Sequence, residues 1–315
     1  MQITVSSKHL DKFGDALDRL NVKKGEPILL AVSGGPDSLA MLLLAARLGR
    51  NPIKTATVDH CLRAGSADEA AYVADICKKL AVPHILLAPE HKICGNIQSS
   101  ARDARYALLA AAANKANCPL IATAHHGDDQ LETIMMRLAR GSGVDGLAAI
   151  RHQNGRIIRP LLGFSKSELE KICADAGFEP VRDPSNDNIE FDRVAIRKWL
   201  AHSDHPFDLE RIDRTARALS DVAEALAWIT DFIAEQRISQ NSKGFQYDTR
   251  NLPRELKRRL LLNCIAKLDP TLQPRGDAIN HLLVELNAGR PAMIGNILCR
   301  GGEIWFFSDA PRRRA

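Results

Sequence analysis

The chain has no C-x-x-C pair, no internal repeat and no apolar run of membrane-spanning length. A spanning helix takes about 20 consecutive apolar residues, so no transmembrane segment and no membrane partner are expected. The N-terminal stretch MQITVSSKHLDKFGDAL lacks a signal-peptide apolar core and carries acids early, which points to a cytoplasmic protein. Seven cysteines (61, 77, 94, 118, 173, 264 and 299) are scattered along the chain. That spacing excludes a zinc ribbon or thiol-redox pair and reads as reduced, mostly buried thiols. No charge of one sign dominates: the net charge is +5 over 315 residues, +2 up to residue 150 and +3 beyond it. A basic surface must therefore come from local clusters: RDAR (102–105), RLAR (137–140), RELKRR (254–259) or RRR (312–314). Each fits a solvated helix face or a frayed tail as well as a nucleic-acid contact.

With 315 residues there is room for a large core and two domains. The first half alternates short apolar runs with helical stretches. Strand-like ILLAV, IKTATVDH, PHILLA and CPLIATAH are separated by SLAMLLLAARL, EAAYVADICKKLA and SARDARYALLAAAANKA. That alternation predicts an α/β domain over 1–207, a parallel sheet with helices on both faces. Residues 208–315 read as a smaller, mainly helical domain, with strand character only near the end (AMIGNILCRGGEIWFFS). In parallel sheets ligands sit at the carboxyl ends of the strands. The polar clusters SGGPDS, VDH and AHHGDD all fall at such ends.

SGGPDS (33–38) has the form of a phosphate-binding turn without a lysine. A P-loop would carry Gly-Lys-Ser/Thr where this chain has Pro36, Asp37 and Ser38. Gly34 and Gly35 let backbone amides approach an anion, and the following helix start adds free N–H groups and its dipole. Ser33 and Ser38 offer hydroxyl donors, and Asp37 suits Mg²⁺ or a water on it. The same residues also suit an ordinary strand–helix turn with a side-chain cap. In the second motif, AHHGDDQLET, Asp128, Asp129 and Glu132 share a helix face. Such a cluster suits Mg²⁺ or an amine, or it is a capping box of Asp129 and Glu132. A His/Asp metal site of His125, His126, Asp128 and Asp129, joined by Asp59 and His60, is a further alternative.

SGGPDS is similar to the signature of the PP-loop, or N-type, ATP pyrophosphatases, whose fold is adenine nucleotide alpha hydrolase-like. The longer pattern AHHGDDQLET…RLARGSGVDGL resembles the tRNA(Ile)-lysidine synthase family. VDHCLR (58–63), ARDARY (101–106), RPLLGFSKSEL (159–169) and DPSNDNIEFDRVAIR (183–197) match its other blocks in order, over roughly residues 25–200. Past that point the likeness weakens, and a short form of the family is expected.

The resemblance implies ATP and Mg²⁺ as cofactors, with free L-lysine and an isoleucine tRNA bearing a CAU anticodon as partners. It implies adenylation of the wobble cytidine with loss of pyrophosphate, then attack by lysine with loss of AMP. The protein would be a carbon–nitrogen ligase, a monomer or homodimer. Residues Ser33, Gly34, Gly35, Pro36, Asp37 and Ser38 would hold pyrophosphate. Asp59, His60, His125 and His126 would line the nucleotide pocket. Asp37 and Asp129 would bind metal. Asp128, Asp129 and Glu132 would take lysine. Arg105, Arg193 and Arg197 would reach phosphate or the target nucleotide. The rivals are a PP-loop thiolase, which the unpaired cysteines disfavour, an amidating ligase, a non-catalytic RNA-binding relative and a metal phosphohydrolase.

Overall fold

The apolar run Ile28–Ala31 forms strand β1, with every residue buried. Burial on both sides is what an uninterrupted apolar strand specifies. The computed structural model describes residues 4–59, 66–89, 97–181, 191–202, 205–241 and 244–310. The first part runs α1 (Ser7–Arg19), β1, α2 (Pro36–Leu48), β2 (Ile53–Val58), α3 (Ser66–Lys79), β3 (His84–Leu87) and α4 (Ile97–Lys115). It continues through β4 (Leu120–Ala122), α5 (Gly127–Ala139), α6 (Val144–Leu147), β5 (Gln153–Asn154), β6 (Ile157–Ile158), α7 (Lys166–Asp175) and α8 (Phe191–His202).

Six strands form one sheet in the order β3-β2-β1-β4-β6-β5. All neighbours are parallel except the short β5–β6 hairpin. Alternate residues of β1 serve opposite faces. Ile28, Leu30 and Val32 pack with α1, α2, α3 and α7, while Leu29 and Ala31 pack with α4. Helix α2 is buried nearly all round, from Ser38 to Ala45, which is why it carries little amphipathic pattern. The parallel sheet covered on both faces is the architecture the alternating pattern implies.

Two joints fix the rim of this sheet. Gly127 opens α5, and its N–H donates to the Phe164 carbonyl at 2.8 Å. A Cβ there would meet the carbonyl oxygens of Phe164 at 3.0 Å and Leu162 at 3.3 Å. Only glycine lets these two backbones touch. At the second joint Ser165 caps α7 in a true capping box: its Oγ accepts the Glu168 N–H and Glu168 accepts the Ser165 N–H. Lys12 of α1 donates to both Glu168 oxygens at 2.8 and 2.9 Å and lies 4.5 Å over the Phe164 ring.

The chain divides into two compact units between Ser220 and Asp221. That point lies inside α9 (Leu209–Arg237), the helix at whose start the sequence places its 207/208 boundary. The second unit adds β7 (Ile238–Asn241), β8 (Gly244–Asp248), α10 (Arg254–Leu268), α11 (Gly276–Asn287), β9 (Pro291–Ile294), β10 (Ile297–Arg300) and β11 (Ile304–Asp309). These strands form an antiparallel sheet, β7-β8-β11-β10-β9, where the sequence suggests a mainly helical domain. Its core joins Leu260, Leu261, Cys264, Leu282, Leu283 and Leu286 to Tyr247, Cys299, Trp305 and Phe307. Cys77, Cys118, Cys173, Cys264 and Cys299 are free and buried. In the RELKRR cluster Glu255 accepts from Arg258 and Arg259, at i+3 and i+4, while Arg254 and Lys257 donate to Asn280 and Asn287.

Two stability tests follow from the joints. Gly127→Ala should cost about 1–3 kcal/mol through overpacking against backbone, read as a lowered Tm. Gly163→Ala, whose Cβ would meet nothing within 4 Å, should leave Tm unchanged. Burial raises the Glu168 pKa, but hydrogen bonds from Lys12 and Ser165 outweigh it and hold the group below its ordinary 4.5. A depressed carboxylate stabilises fully above the unfolded value and loses that contribution as pH falls through the folded one. Glu168→Gln should therefore flatten the acid limb of the stability–pH curve below about pH 4.5. An unchanged limb would remove Glu168 from acid unfolding.

Candidate active site

Strand order reverses around β1: β2 and β3 lie on one side, β4 and β6 on the other. In such sheets ligands sit outside the carboxyl ends of the strands at this reversal, here β1 and β4. The turn Ser33–Ser38 leaves β1 there, and residues 123–126 leave β4 beside it.

The turn is held from within. Gly34 has φ +87°, and its carbonyl accepts the Val181 N–H at 3.0 Å. A Cβ on it would press on Val73 and Val181 at 3.1 and 3.3 Å. Ser38 Oγ accepts the Ser33 N–H at 3.0 Å, lies 3.2 Å from Ser33 Oγ and donates to the Gly35 carbonyl at 3.1 Å. Ser38 is buried and shapes the turn, whereas Ser33 is exposed. Pro36 begins α2, and its carbonyl accepts the Cys173 thiol at 3.4 Å. Gly35 precedes α2 without a side-chain cap, so the first N–H groups of the helix have no partner of their own.

Asp37 faces the second motif. Its Oδ1 is buried with no hydrogen-bond partner, and its Oδ2 lies 3.7 Å from His126 Nε2. Burial raises the Asp37 pKa, His126 opposes this and Asp129 adds to it. His126 is 6% exposed; Nε2 is 3.5 Å from Asp129 Oδ2 and Nδ1 is 3.3 Å from Asp128 Oδ2. Burial lowers the His126 pKa, but Asp128, Asp129 and Asp37 together outweigh it and raise the value. For Asp128 burial works upward, and His126 with the Lys166 N–H, donating at 2.8 Å, brings the pKa below its ordinary value.

The carboxylates behind them meet two arginines of α8. Arg193 donates to Asp129 Oδ1 at 2.6 Å and to Glu132 Oε2 at 2.7 Å. Arg197 donates to Glu132 Oε1 at 2.7 Å and Oε2 at 3.1 Å. Hydrogen bonds from Arg197 to Glu132 raise the Arg197 pKa against burial. The sequence leaves open a capping box between Asp129 and Glu132. Instead His126 is the N-cap, Asp129 accepts its N–H at 3.2 Å, and Glu132, 4% exposed, is committed to the arginines. The arginines face these acids, and the acids are thereby joined into one network with Asp37 and His126. Among the described residues no three His, Cys, Asp or Glu side chains are grouped to share a metal ion.

His125 points elsewhere. Its Nδ1 is 3.1 Å from Thr123 Oγ1. Burial lowers its pKa to about 4; Asp129 opposes this, while Arg159, Arg105 and Arg102 reinforce it. Arg105 on α4 has its own pKa lowered by burial, Tyr106 opposing and Arg102 adding. Arg102 lies 5.2 Å over the Tyr106 ring. Asp59 ends β2, its N–H donating to the Leu87 carbonyl at 2.8 Å. His60 and residues 183–190 of the later block lie outside the described residues.

Three arrangements near the site have no signal in the sequence motifs. Gln130 makes a two-way bond with the Ile150 backbone. His152 Nε2 meets the buried Asp213 Oδ1 at 2.6 Å. Arg159, 6% exposed, donates to the Arg151 carbonyl at 2.6 Å. Their partners are main-chain atoms or lie tens of residues away, so no local spacing announces them.

A family model described as the PP-loop domain matches residues 5–203. The tRNA(Ile)-lysidine synthase of Zymomonas mobilis is 42% identical over 90% of this chain and 89% of its own. That of Novosphingobium aromaticivorans is 38% identical over 91% and 90%. Among solved structures, the U34-tRNA thiolase NcsA from Methanococcus maripaludis aligns with TM-score 0.58 at 18% identity, over 68% of this chain and 79% of its own. That likeness concerns the fold alone. With a PP-loop domain and this identity across nearly its whole length, the chain belongs to the tRNA(Ile)-lysidine synthase family.

Proposed function

We propose that the chain uses ATP to join free lysine to the wobble cytidine of an isoleucine tRNA with a CAU anticodon. One observation carries the reading: a lysine-free glycine turn, an unpartnered buried oxygen on Asp37 and a carboxylate-rich helix start meet at one switch point. In the first step cytidine O2 attacks the α-phosphate, the bond to the β-phosphate breaks and pyrophosphate leaves. In the second a lysine amine attacks C2 of the adenylated base, gives up a proton, and AMP leaves.

The turn suits the leaving pyrophosphate. Gly34 and Gly35 leave its backbone open, and the uncapped start of α2 supplies N–H groups and a positive dipole end. Ser33, exposed at the mouth, can donate to phosphate, while Ser38 keeps the turn in shape. The donor-free Asp37 Oδ1 fits a cation, so Asp37 with Asp129 beside it would hold Mg²⁺, the remaining positions going to phosphate oxygens and water. When bound, Mg²⁺ supplies neutralisation of the phosphate charge. Asp59, with His60 after it, is assigned to the nucleotide side.

Lysine attracts the same network. Four carboxylates (Asp37, Asp128, Asp129 and Glu132) face two guanidiniums, Arg193 and Arg197. The negative excess favours an ammonium group. Glu132 orients the two arginines, leaving Asp128, the more exposed acid, and Asp129 for the amine. Residues 208–315 form the proposed tRNA-contacting domain, through contacts that weaken with salt.

Radiolabelled lysine should enter an isoleucine transcript bearing CAU and leave a methionine tRNA unlabelled; ADP as product in place of AMP would exclude the reaction. Asp37→Asn should lower tRNA-dependent ATP–pyrophosphate exchange by about 100-fold or more, the scale of losing a group that stabilises transition-state charge. Its Tm should hold or rise, because burial disfavours the charged acid. Glu132→Gln should cost about 1–3 kcal/mol of stability, below the full cost of a broken buried pair because Arg193 and Arg197 keep some water. It should also raise the KM for lysine; a normal KM in the folded variant would confine Glu132 to the scaffold.

A further inference from the structure

Strand β2, IKTATV, carries two buried threonines, Thr55 and Thr57, where a strand covered on both faces is ordinarily apolar. They stand two residues apart and so serve one face of the sheet. A buried hydroxyl is costly unless it is hydrogen-bonded. Thr55 donates to the Pro83 carbonyl at 2.9 Å, which ties β2 to the residue before β3.

Thr57 serves the other neighbour, β1, where the glycine turn begins. Its Oγ1 donates to the Val32 carbonyl at 2.8 Å. Val32 links β1 to Ser33, and its own N–H donates to the Ala56 carbonyl at 2.9 Å. A hydroxyl has one proton to give. With that proton on Val32, the 2.9 Å bond between Thr57 Oγ1 and His84 Nε2 is donated by the imidazole. His84, half-buried at the start of β3, therefore carries a proton on Nε2. Burial lowers its pKa, so the neutral ring is the donor at neutral pH.

These bonds run head to tail into the turn. His84 donates to Thr57, and Thr57 to the oxygen of the Val32–Ser33 peptide. The nitrogen of that same peptide donates to Ser38 Oγ at 3.0 Å, and Ser38 donates to the Gly35 carbonyl at 3.1 Å. Rotating the peptide plane would break a bond at one end or the other, and bonds in such a chain reinforce one another. This peptide is the root of the turn. Gly34, at φ +87°, and Gly35 follow it and have no side chains of their own to limit their conformation.

We infer that Thr57, backed by His84, is a positioning residue for the anion-binding turn: from the neighbouring strand it fixes the Val32–Ser33 peptide and so aims the amides of the turn at the departing pyrophosphate. This rests on the function proposed above, which places pyrophosphate at the turn.

The full chain is titrated with magnesium pyrophosphate by calorimetry. Thr57→Val keeps the shape and removes the hydroxyl; it should weaken binding about tenfold, the scale of one hydrogen bond, while Thr57→Ser, which keeps the hydroxyl, should stay within about twofold of wild type. His84→Leu, which removes the donor behind Thr57, should weaken binding in the same direction and by less. A natively folded Thr57→Val protein with wild-type affinity overturns the proposal, even if its Tm falls. So does a Thr57→Ser protein as weak as Thr57→Val, because the hydroxyl would then not be the group that matters. Should Thr57→Val not fold, His84→Leu carries the test, and wild-type affinity in it overturns the proposal equally. Lysine transfer is scored apart: a wild-type chain that binds pyrophosphate but transfers no lysine would sink the proposed reaction and leave this assignment standing.

Discussion

Like charge crowded at the start of one helix is the constraint that organises the first unit. Asp128, Asp129 and Glu132 rise from α5, and Asp37 joins them from the opposite turn. Carboxylates so close repel one another; burial raises the Asp37 pKa, and Asp129 adds to it. Compensation comes from several sources: the dipole of α5, the Lys166 N–H, His126, and above all Arg193 and Arg197. Each arginine presents a planar fork to the acids, so the network has direction as well as charge. Helix α8 is thereby tied to a helix some sixty residues earlier by paired guanidinium bonds.

Such a network is useful only if its frame does not move. Gly127 against the Phe164 carbonyl fixes where α5 begins. The Asp128–Lys166 bond ties that start to the head of α7, and the Ser165–Glu168 box with Lys12 ties α7 to α1. Across the crevice Ser38 and Val181 brace the glycine turn from behind. Groups held in this way need little rearrangement when charge develops on a substrate, which is where most of the electrostatic advantage of an active site arises.

Much of this was legible in the sequence, and the illegible parts share a cause. Strands such as ILLA are readable because continuous apolar burial leaves no other choice, and SGGPDS is readable because glycine, proline and a helix start act within six residues. Physics that operates over long separations is not. Nothing around Glu132 indicates that its oxygens will be taken by residues 61 and 65 positions later. Nor does the motif show that the Ser38 hydroxyl donates to the Gly35 carbonyl within its own turn. A linear reading of RELKRR counts charges and does not show that Glu255 sits at helical spacing from two of them. Of the second sheet, β9, β10 and β11 fall largely within AMIGNILCRGGEIWFFS, whose strand character is legible, whereas β7 and β8 are not, because strands such as GFQYD are short and half-polar and gain their identity only from cross-strand partners like Tyr247 and Trp305.

His125 and His126 are adjacent, yet their basicities move in opposite directions. One lies toward Arg159 and Arg105 and is neutral above about pH 4. The other lies among Asp37, Asp128 and Asp129 and holds its proton more tightly than usual. Burial lowers both; at His126 three carboxylates outweigh it, whereas at His125 Asp129 alone opposes it and Arg159, Arg105 and Arg102 add to it. Acids thus dominate the surroundings of His126, while His125 has arginines as well as Asp129 about it. The proposed reaction requires such a division. Its first step gathers phosphate charge, which belongs with cations and backbone amides, and its second admits an ammonium, which belongs with carboxylates. A uniform pocket of either sign would repel one of the two reactants. A strand end with carboxylates around His126 and arginines nearer His125 offers a place to each.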